Sequence, residues 1–237
     1  MLGWRSAIGL SRTIKRPNVS FVTLALTLVL GVATTCRASD EDFFYWTKAT
    51  FLVSIAEHWE FGFEQKFGFD EDARHVAHHI QDYGFVYDGV GDWLKLYGTV
   101  KVVHAKVDDR ESWIQEIRPH FNAAVFSKLF GLDMVNRSRI EYRNIEDLGI
   151  IWRLRHKIGF IWPEELTPLR IRPYVADEIF YSFDADRFHG NRVQTGLFLP
   201  LHEKVRLELF YFWHIDKDAP HDWDDVNVFG TYVRFKF

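Results

Sequence analysis

Charged side chains recur at every second position through the second half of the 237-residue chain. They are Arg137, Arg139, Glu141, Arg143, Arg153, Arg155, Arg170, Arg172, Glu178, Arg192, Arg206 and Glu208. A guanidinium group binds a carboxylate through two parallel hydrogen bonds, so Arg and Glu on neighbouring strands can satisfy one another in a confined space. The series predicts an enclosed lattice of Arg and Glu. If the enclosed space is an open pore, its arginines favour anions.

Ser138 and His156 are the residues that fit nucleophilic catalysis best. Each stands on the apolar row of its segment, and the two segments are neighbours in the chain. A catalytic serine needs a histidine base that a third polar group orients. The pair is compatible with a membrane-embedded lipid-modifying hydrolase and equally with no chemistry. We assign no catalytic residue and favour a protein that is not an enzyme.

Two groups of histidines and acidic residues have the short spacing of metal ligands. One is His75, His78 and His79 with Asp70, Glu71 and Asp72, and the other is His214 and His221 with Asp222, Asp224 and Asp225. We interpret both as solvated outer loops, spanning Asp70–Gln81 and Asp216–Asp225, and predict neither a metal site nor a cofactor. Acidic loops of this kind could share divalent cations with lipopolysaccharide phosphates.

The elements that carry these residues have the period-two alternation of β-strands. Between Trp59 and Phe69, five aromatic residues share one face, and Glu60, Glu64 and Lys66 share the other. Many runs reach 11–15 residues, whereas a strand crossing a bilayer needs about 9–11 and a strand of a globular protein averages about five or six. The predicted strands are 43–55, 59–69, 81–90, 93–107, 112–126, 133–146, 148–162, 168–182, 190–201, 204–216 and the segment ending at 237.

These segments predict an all-β fold, an antiparallel up-and-down transmembrane β-barrel of 10–12 strands. The segments number eleven, but single-chain bacterial barrels use even numbers. Either 43–55 is not a wall strand or one strand is missing, and we favour twelve.

A leader precedes the barrel. Four basic residues are followed by an apolar run over 19–33 and by small residues, which is the pattern of a secretory signal peptide. We predict cleavage after Ala38 and a single barrel domain over 39–237. The alternatives are a retained anchor and a lipoprotein acylated at Cys36; the apolar run is short for a spanning helix.

The predicted mature chain carries 24 basic and 33 acidic residues, which argues against a nucleic-acid partner. Its apolar rows are rich in aromatic residues, so we expect them to face lipid and the charged rows to face the lumen. In the alternative, a soluble secreted β-barrel that binds a hydrophobic ligand, the two faces are exchanged. The final strand ends in Val233, Phe235 and Phe237, which resembles the signal that the outer-membrane insertion machinery reads.

Four motifs occur in order in the second half of the chain: Asn136-Arg-Ser-Arg-Ile-Glu-Tyr-Arg143, Trp152-Arg-Leu-Arg155, Arg172-Pro-Tyr-Val-Ala-Asp-Glu178 and Asn191-Arg-Val-Gln-Thr-Gly196. Together they resemble the bacterial family known as domain of unknown function 2490. The resemblance covers most of 43–237 and is strongest over 113–237. It implies an outer-membrane β-barrel and brings no activity or catalytic residues.

We therefore expect a protein of the outer membrane of a Gram-negative bacterium, in contact with membrane lipids and lipopolysaccharide. Its role is structural, or that of a narrow pore for small solutes.

Overall fold

The computed structural model describes residues 44–70, 74–106, 112–163, 170–219 and 222–237. The predicted signal peptide, 1–38, lies outside these ranges. Within them the chain is all-β and forms eleven strands. They are β1 (Phe44–Ala56), β2 (Trp59–Asp70), β3 (His75–Tyr87), β4 (Leu94–Lys106), β5 (Trp113–Leu129), β6 (Leu132–Ile145), β7 (Gly149–Ile161), β8 (Arg172–Ser182), β9 (Arg187–His202), β10 (Val205–Ala219) and β11 (Asp222–Lys236). The described residues contain no helix of the length and apolarity that a membrane span requires.

The strands form one closed barrel in which each strand pairs with its neighbours in the chain. All of these consecutive pairs are antiparallel. The closing pair, β1 with β11, is parallel and runs from Phe44 opposite Val228 to Leu52 opposite Lys236. An odd number of up-and-down strands leaves the first and last strands pointing the same way, so the barrel can close only through a parallel pair.

The preference for twelve strands is therefore wrong, although eleven falls within the predicted range. The even-number rule assumes that the first and last strands pair antiparallel. Here the pair that closes the barrel, which we call the seam, is parallel. Residues 43–55, the segment in doubt, correspond to β1 in the wall. Backbone hydrogen bonds extend the seam: the Phe237 N–H donates to the Leu52 carbonyl over 2.8 Å, and the Ser54 N–H donates to the Phe237 carbonyl over 3.1 Å.

The connections are shorter than the sequence predicts. The predicted loop Asp70–Gln81 is mostly strand, since Asp70 already pairs with His75 across β2 and β3. The predicted loop Asp216–Asp225 is also mostly strand, since Asp216 pairs with Asp224. Backbone pairing tolerates polar side chains at the ends of strands, so their hydrophilic composition suggested loops where the ladder in fact continues.

The two faces of the wall differ as the alternation predicts. Ile140 of β6 is 40% exposed and Trp152 of β7 is 43% exposed, whereas Glu141, the residue after Ile140, is 0% exposed. Along β8, Val175, Asp177 and Ile179 are exposed and the residues between them are buried. The barrel thus has an outer face that is largely apolar and a lumen, defined here as the space that the strands enclose, that is largely charged.

Candidate functional site

The lumen contains a cavity of about 1010 Å³ lined by side chains from β1 to β11. Among the described residues, sixteen Lys and Arg but only seven Asp and Glu contribute to its wall. Every strand delivers these side chains through alternate residues that point inward. The lumen is therefore rich in positive charge, although the predicted mature chain as a whole is acidic.

Glu141 of β6 lies at the centre of one ion-pair cluster. Its carboxylate is 2.6 Å from the Arg153 Nη2, 3.1 Å from the Arg155 Nη1 and 3.3 Å from the Arg139 Nη1. Arg153 and Arg155 come from β7, so the cluster ties two neighbouring strands together. Because Glu141 is fully buried, water cannot solvate its negative charge, and the guanidinium groups compensate that charge instead.

Glu178 of β8 is the centre of a second cluster. It accepts a hydrogen bond of 2.8 Å from the Arg155 Nη2 and one of 2.7 Å from the Arg137 Nη2. Arg192 lies 3.8 Å away on β9. Since Arg155 binds both Glu141 and Glu178, the two clusters form one continuous network from β6 to β9.

Glu116 of β5 holds two further arginines in bidentate forks. Arg118 donates to its two oxygens over 2.6 and 2.7 Å, and Arg143 donates over 2.8 and 3.0 Å. Paired donors of this kind fix both the position and the orientation of the side chains. The lattice that the sequence predicts is thus present as a set of defined ion pairs.

Most of the predicted lumen residues lie in the cavity wall. They are Arg137, Arg139, Arg143, Arg153, Arg155, Glu178, Arg192, Arg206 and Glu208. Glu141 lies behind this wall, buried by its arginines. Arg172 is not part of the cavity wall and instead binds Asp133 and the Trp162 carbonyl.

The prediction for Arg170 is wrong. Its side chain is exposed and it does not line the cavity. Strand β8 begins at Arg172, and Arg170 has a φ of 54°, outside the extended region. The backbone turn therefore removes Arg170 from the inward row that the alternation of the following residues suggested.

The lumen also contains charged residues from β1 to β4 that the predicted site omitted. Lys48 Nζ lies 2.8 Å from Glu64, and Lys101 Nζ lies 3.3 Å from Asp82. The alternation of Glu60, Glu64 and Lys66 with aromatic residues was the signal that could have identified them. The predicted site left out the charged residues of β1 to β4 because acidic and basic residues are more widely spaced in those strands.

Aromatic residues inside the lumen were also missed. Phe180 is 2% exposed, and its ring centroid lies 4.7 Å from the Arg155 guanidinium and 5.4 Å from that of Arg192. Phe212 is equally buried and lies 4.4 Å from the same Arg192 group. Aromatic faces attract cations, so these rings stabilise guanidinium groups that carboxylates alone do not neutralise.

Among the described residues, five pairs of basic side chains face each other directly across neighbouring strands. They are Lys48–Lys66, Lys101–Arg118, Arg137–Lys157, Arg139–Arg155 and Arg206–Arg234. Like charges directly opposite in a sheet are unfavourable. Carboxylates bridge some of these pairs, but the wall keeps an excess of positive charge that an anion would relieve.

Ser138 and His156 are brought together on the outer face. They are directly opposite across β6 and β7, and the Ser138 Oγ lies 3.0 Å from the His156 Nδ1. No other side chain in the described part of the chain is bonded to this imidazole, so the orienting group of a catalytic serine site is missing. Asp177, another polar residue on this face, accepts a hydrogen bond from the Asn191 side chain over 2.8 Å.

The two histidine groups do not form metal sites among the described residues, where no cluster of three His, Cys, Asp or Glu side chains fits a metal ion. His78 lines the lumen, whereas His79 stacks with Phe67 on the outer face at 5.0 Å. Consecutive residues of a strand point to opposite faces, so these two histidines cannot share an ion. His221 lies outside the described residues.

The predicted insertion signal forms the seam of the barrel. Phe235 stacks on Phe51 of β1 at 5.1 Å, and Val233 pairs with Ala49. Phe237 is 59% exposed. These residues lie on the outer face at the end of the last strand.

The fold and its lumen define a closed β-barrel with an interior cavity lined by ion pairs. The family model described as "Protein of unknown function (DUF2490)" matches residues 43–225, and the chain belongs to this family. The resemblance drawn from the sequence motifs is thereby confirmed. No curated protein and no solved structure matches the sequence.

Proposed function

We propose that the mature chain is an outer-membrane β-barrel whose lumen admits small anions. The observation that carries the proposal is the reversal of its two faces, with apolar side chains outside and charged side chains enclosed. In a protein dissolved in water, large contiguous apolar surfaces are rare. A hydrocarbon environment accounts for the apolar outer face, whereas the enclosed charges are stabilised by their ion pairs.

Exposed tryptophans near both ends of the barrel support this placement. Trp59 and Trp93 stand next to the turns at one end, and Trp113 and Trp213 stand towards the other; they are between 38% and 53% exposed. Two aromatic girdles, one at each membrane interface, are typical of transmembrane barrels. The long strands, of 11 to 17 residues, also suffice to cross a bilayer at a tilt.

The excess of Lys and Arg on the cavity wall supports anions as the solutes. Rings of basic side chains favour anions in pores. The competing role, a purely structural barrel, predicts no conductance. A soluble carrier of a hydrophobic ligand fits poorly because the lumen presents ion pairs in place of an apolar surface. A hydrolase is not favoured either, since no third polar group orients the outward Ser138–His156 pair among the described residues.

We further propose that Val233, Phe235 and Phe237 carry the signal for the insertion machinery and that the outer face contacts membrane lipids and lipopolysaccharide. Cleavage of the leader after Ala38 belongs to the same export route. Fractionation of a Gram-negative host tests the route: we expect the protein in the outer-membrane fraction, with a gel mobility that changes on heating. A protein that is monomeric and freely dissolved in plain buffer would overturn the proposal.

Conductance in planar bilayers tests the pore. We expect small channels whose reversal potential in a salt gradient indicates anion preference, because basic residues outnumber acidic ones in the cavity wall. Membranes that received a mock purification are the control. Cation-selective channels would contradict the anion assignment, and a silent barrel would leave the structural role.

A further inference from the structure

Lys66 of β2 is a buried lysine that has no ion-pair partner among the described residues. Its side chain points into the lumen and the residue is 9% exposed, yet among the described residues it makes no ion pair and no side-chain hydrogen bond. Its ammonium lies 3.0 Å from the ring centroid of Trp46, which attracts the charge but cannot neutralise it. Lys48 lies directly opposite on β1 and repels it. Burial of a charge is unfavourable unless a partner compensates it.

Hydrogen-bonding atoms next to Lys66 are also unused. The Trp46 Nε1 and the His78 Nδ1 are both buried, and neither has a hydrogen-bond partner among the described residues. Trp46 and His78 flank Gly68, since Gly68 is paired with both residues across β1, β2 and β3. A Cβ at position 68 would come within 2.9 Å of the Trp46 Nε1 and 3.2 Å of the His78 Cβ. Only a glycine at position 68 therefore lets the Trp46 indole lie this close to β2.

Arg192 extends this positive region from the other side of the lumen. Its guanidinium lies 5.8 Å from the Trp46 ring, and its Nε is buried without a partner. The carboxylate of Glu178 lies 3.8 Å away but is already bound by Arg137 and Arg155. Of the acids near Lys66, Glu64 binds Lys48, and Asp70 lies beyond Gly68 towards the end of β2. Within the described part of the chain, Lys66 and Arg192 are therefore incompletely neutralised.

We propose that Lys66, Trp46 and His78, with Arg192 facing them, form a binding site for a small oxyanion such as phosphate or a carboxylate. An oxyanion accepts hydrogen bonds from an ammonium, an indole N–H and a guanidinium together, and hydrogen bonds between charged groups are the strong ones. As an anion-binding site within the lumen, the site rests on the proposed function, because the ligand would reach it through the pore. Its affinity does not depend on the location of the protein.

Binding of inorganic phosphate to the purified full mature chain in detergent micelles tests the site. Isothermal titration calorimetry of the wild type should show saturable binding, and K66M should weaken it by about tenfold or more, the usual value of one charge-assisted hydrogen bond. K95M is the matched control, since Lys95 also lines the lumen but lies near Asp88 at 3.6 Å, at the end of the barrel where β4 begins. K95M should bind as the wild type does.

G68A provides an independent test that keeps every charge. The added methyl group would displace the Trp46 indole, so we expect weaker phosphate binding with an unchanged lumen charge. Absence of saturable binding to the wild type, or equal binding by the wild type, K66M and G68A, would overturn the site. A protein that binds phosphate yet dissolves without detergent would contradict only the membrane proposal, and one that conducts anions without binding phosphate would contradict only the site.

Discussion

Glu141 shows how individual residues determine the charge balance of the lumen. It is completely buried and lies within 3.3 Å of arginines 139, 153 and 155. The sequence predicted that Glu141 and these arginines face inward, because the alternation assigns each residue to a face. It did not predict which arginine binds which glutamate, because those contacts join separate strands and depend on their register.

Replacement of Glu141 by alanine should lower the free energy of unfolding by about 3 kcal/mol or more, since it leaves buried arginines without their counter-charge. Urea titration of the barrel in detergent micelles measures the change. E203A is the control, because Glu203 is exposed in the turn between β9 and β10 and should change stability by less than about 0.5 kcal/mol. Equal stability of the wild type and E141A would show that the network does not hold the barrel together.

At the scale of the strands, the wall depends on small residues where large side chains fill the lumen. Gly230 of β11 lies between Trp46 of β1 and Phe210 of β10 in the register of the sheet. A Cβ at Gly230 would overlap the ring of Phe210. Phe210 is 5% exposed and belongs to the aromatic cluster of the lumen with Phe212 and Tyr174. The position therefore accepts only a glycine without rearrangement of that cluster.

G230A and G98A form a matched pair, because both glycines lie within strands and only one is crowded. We expect G230A to lower the free energy of unfolding by about 1–3 kcal/mol, the usual effect of overpacking. A Cβ at Gly98 meets nothing within 4 Å, so G98A should leave stability unchanged or raise it by about 0.4–1 kcal/mol through the unfolded state. The measurement is again urea titration in micelles, and equal effects of the two substitutions would contradict the packing argument.

At the scale of the whole molecule, eleven strands place the two ends of the barrel chain on opposite rims. Strand β1 begins at Phe44 on one rim, and β11 ends at the other, where the Lys236 N–H donates to the Lys204 carbonyl over 2.9 Å. In a barrel with an even number of strands, both ends would share a rim. If the barrel spans a membrane as proposed, the start of β1 and the end of β11 lie on opposite sides of that membrane.

Epitope tags test this topology in intact cells. A tag directly ahead of Phe44 and a tag in the Glu203–Lys204 turn should differ, one being accessible to antibody and the other accessible only after the outer membrane is permeabilised. A third tag, in the turn at Asp184–Ala185, should behave as the tag at Phe44 does, because both lie on the same rim. If all three tags are accessible from one side, the eleven-strand arrangement is wrong.

The sequence alone determined the fold class, the approximate span of most strands and the face of most side chains. These features are local: each follows from alternation within one segment, and the family motifs lie within such segments too. The prediction of loops at Asp70–Gln81 and Asp216–Asp225 was wrong, because the polarity of a segment does not reveal whether its backbone has a neighbouring strand to pair with.

Only the tertiary structure decided the parallel closure, the ion-pair partners of Glu141 and Glu178, and the contact of Lys66 with Trp46. Each of these depends on which residues meet across strands that are far apart in the chain. Register and closure are properties of all the strands together, since a shift of one residue would exchange the two faces of a strand. The alternation of the sequence therefore predicts a positively charged lumen, but it does not predict that Lys66 is the residue without an ion-pair partner among the described residues.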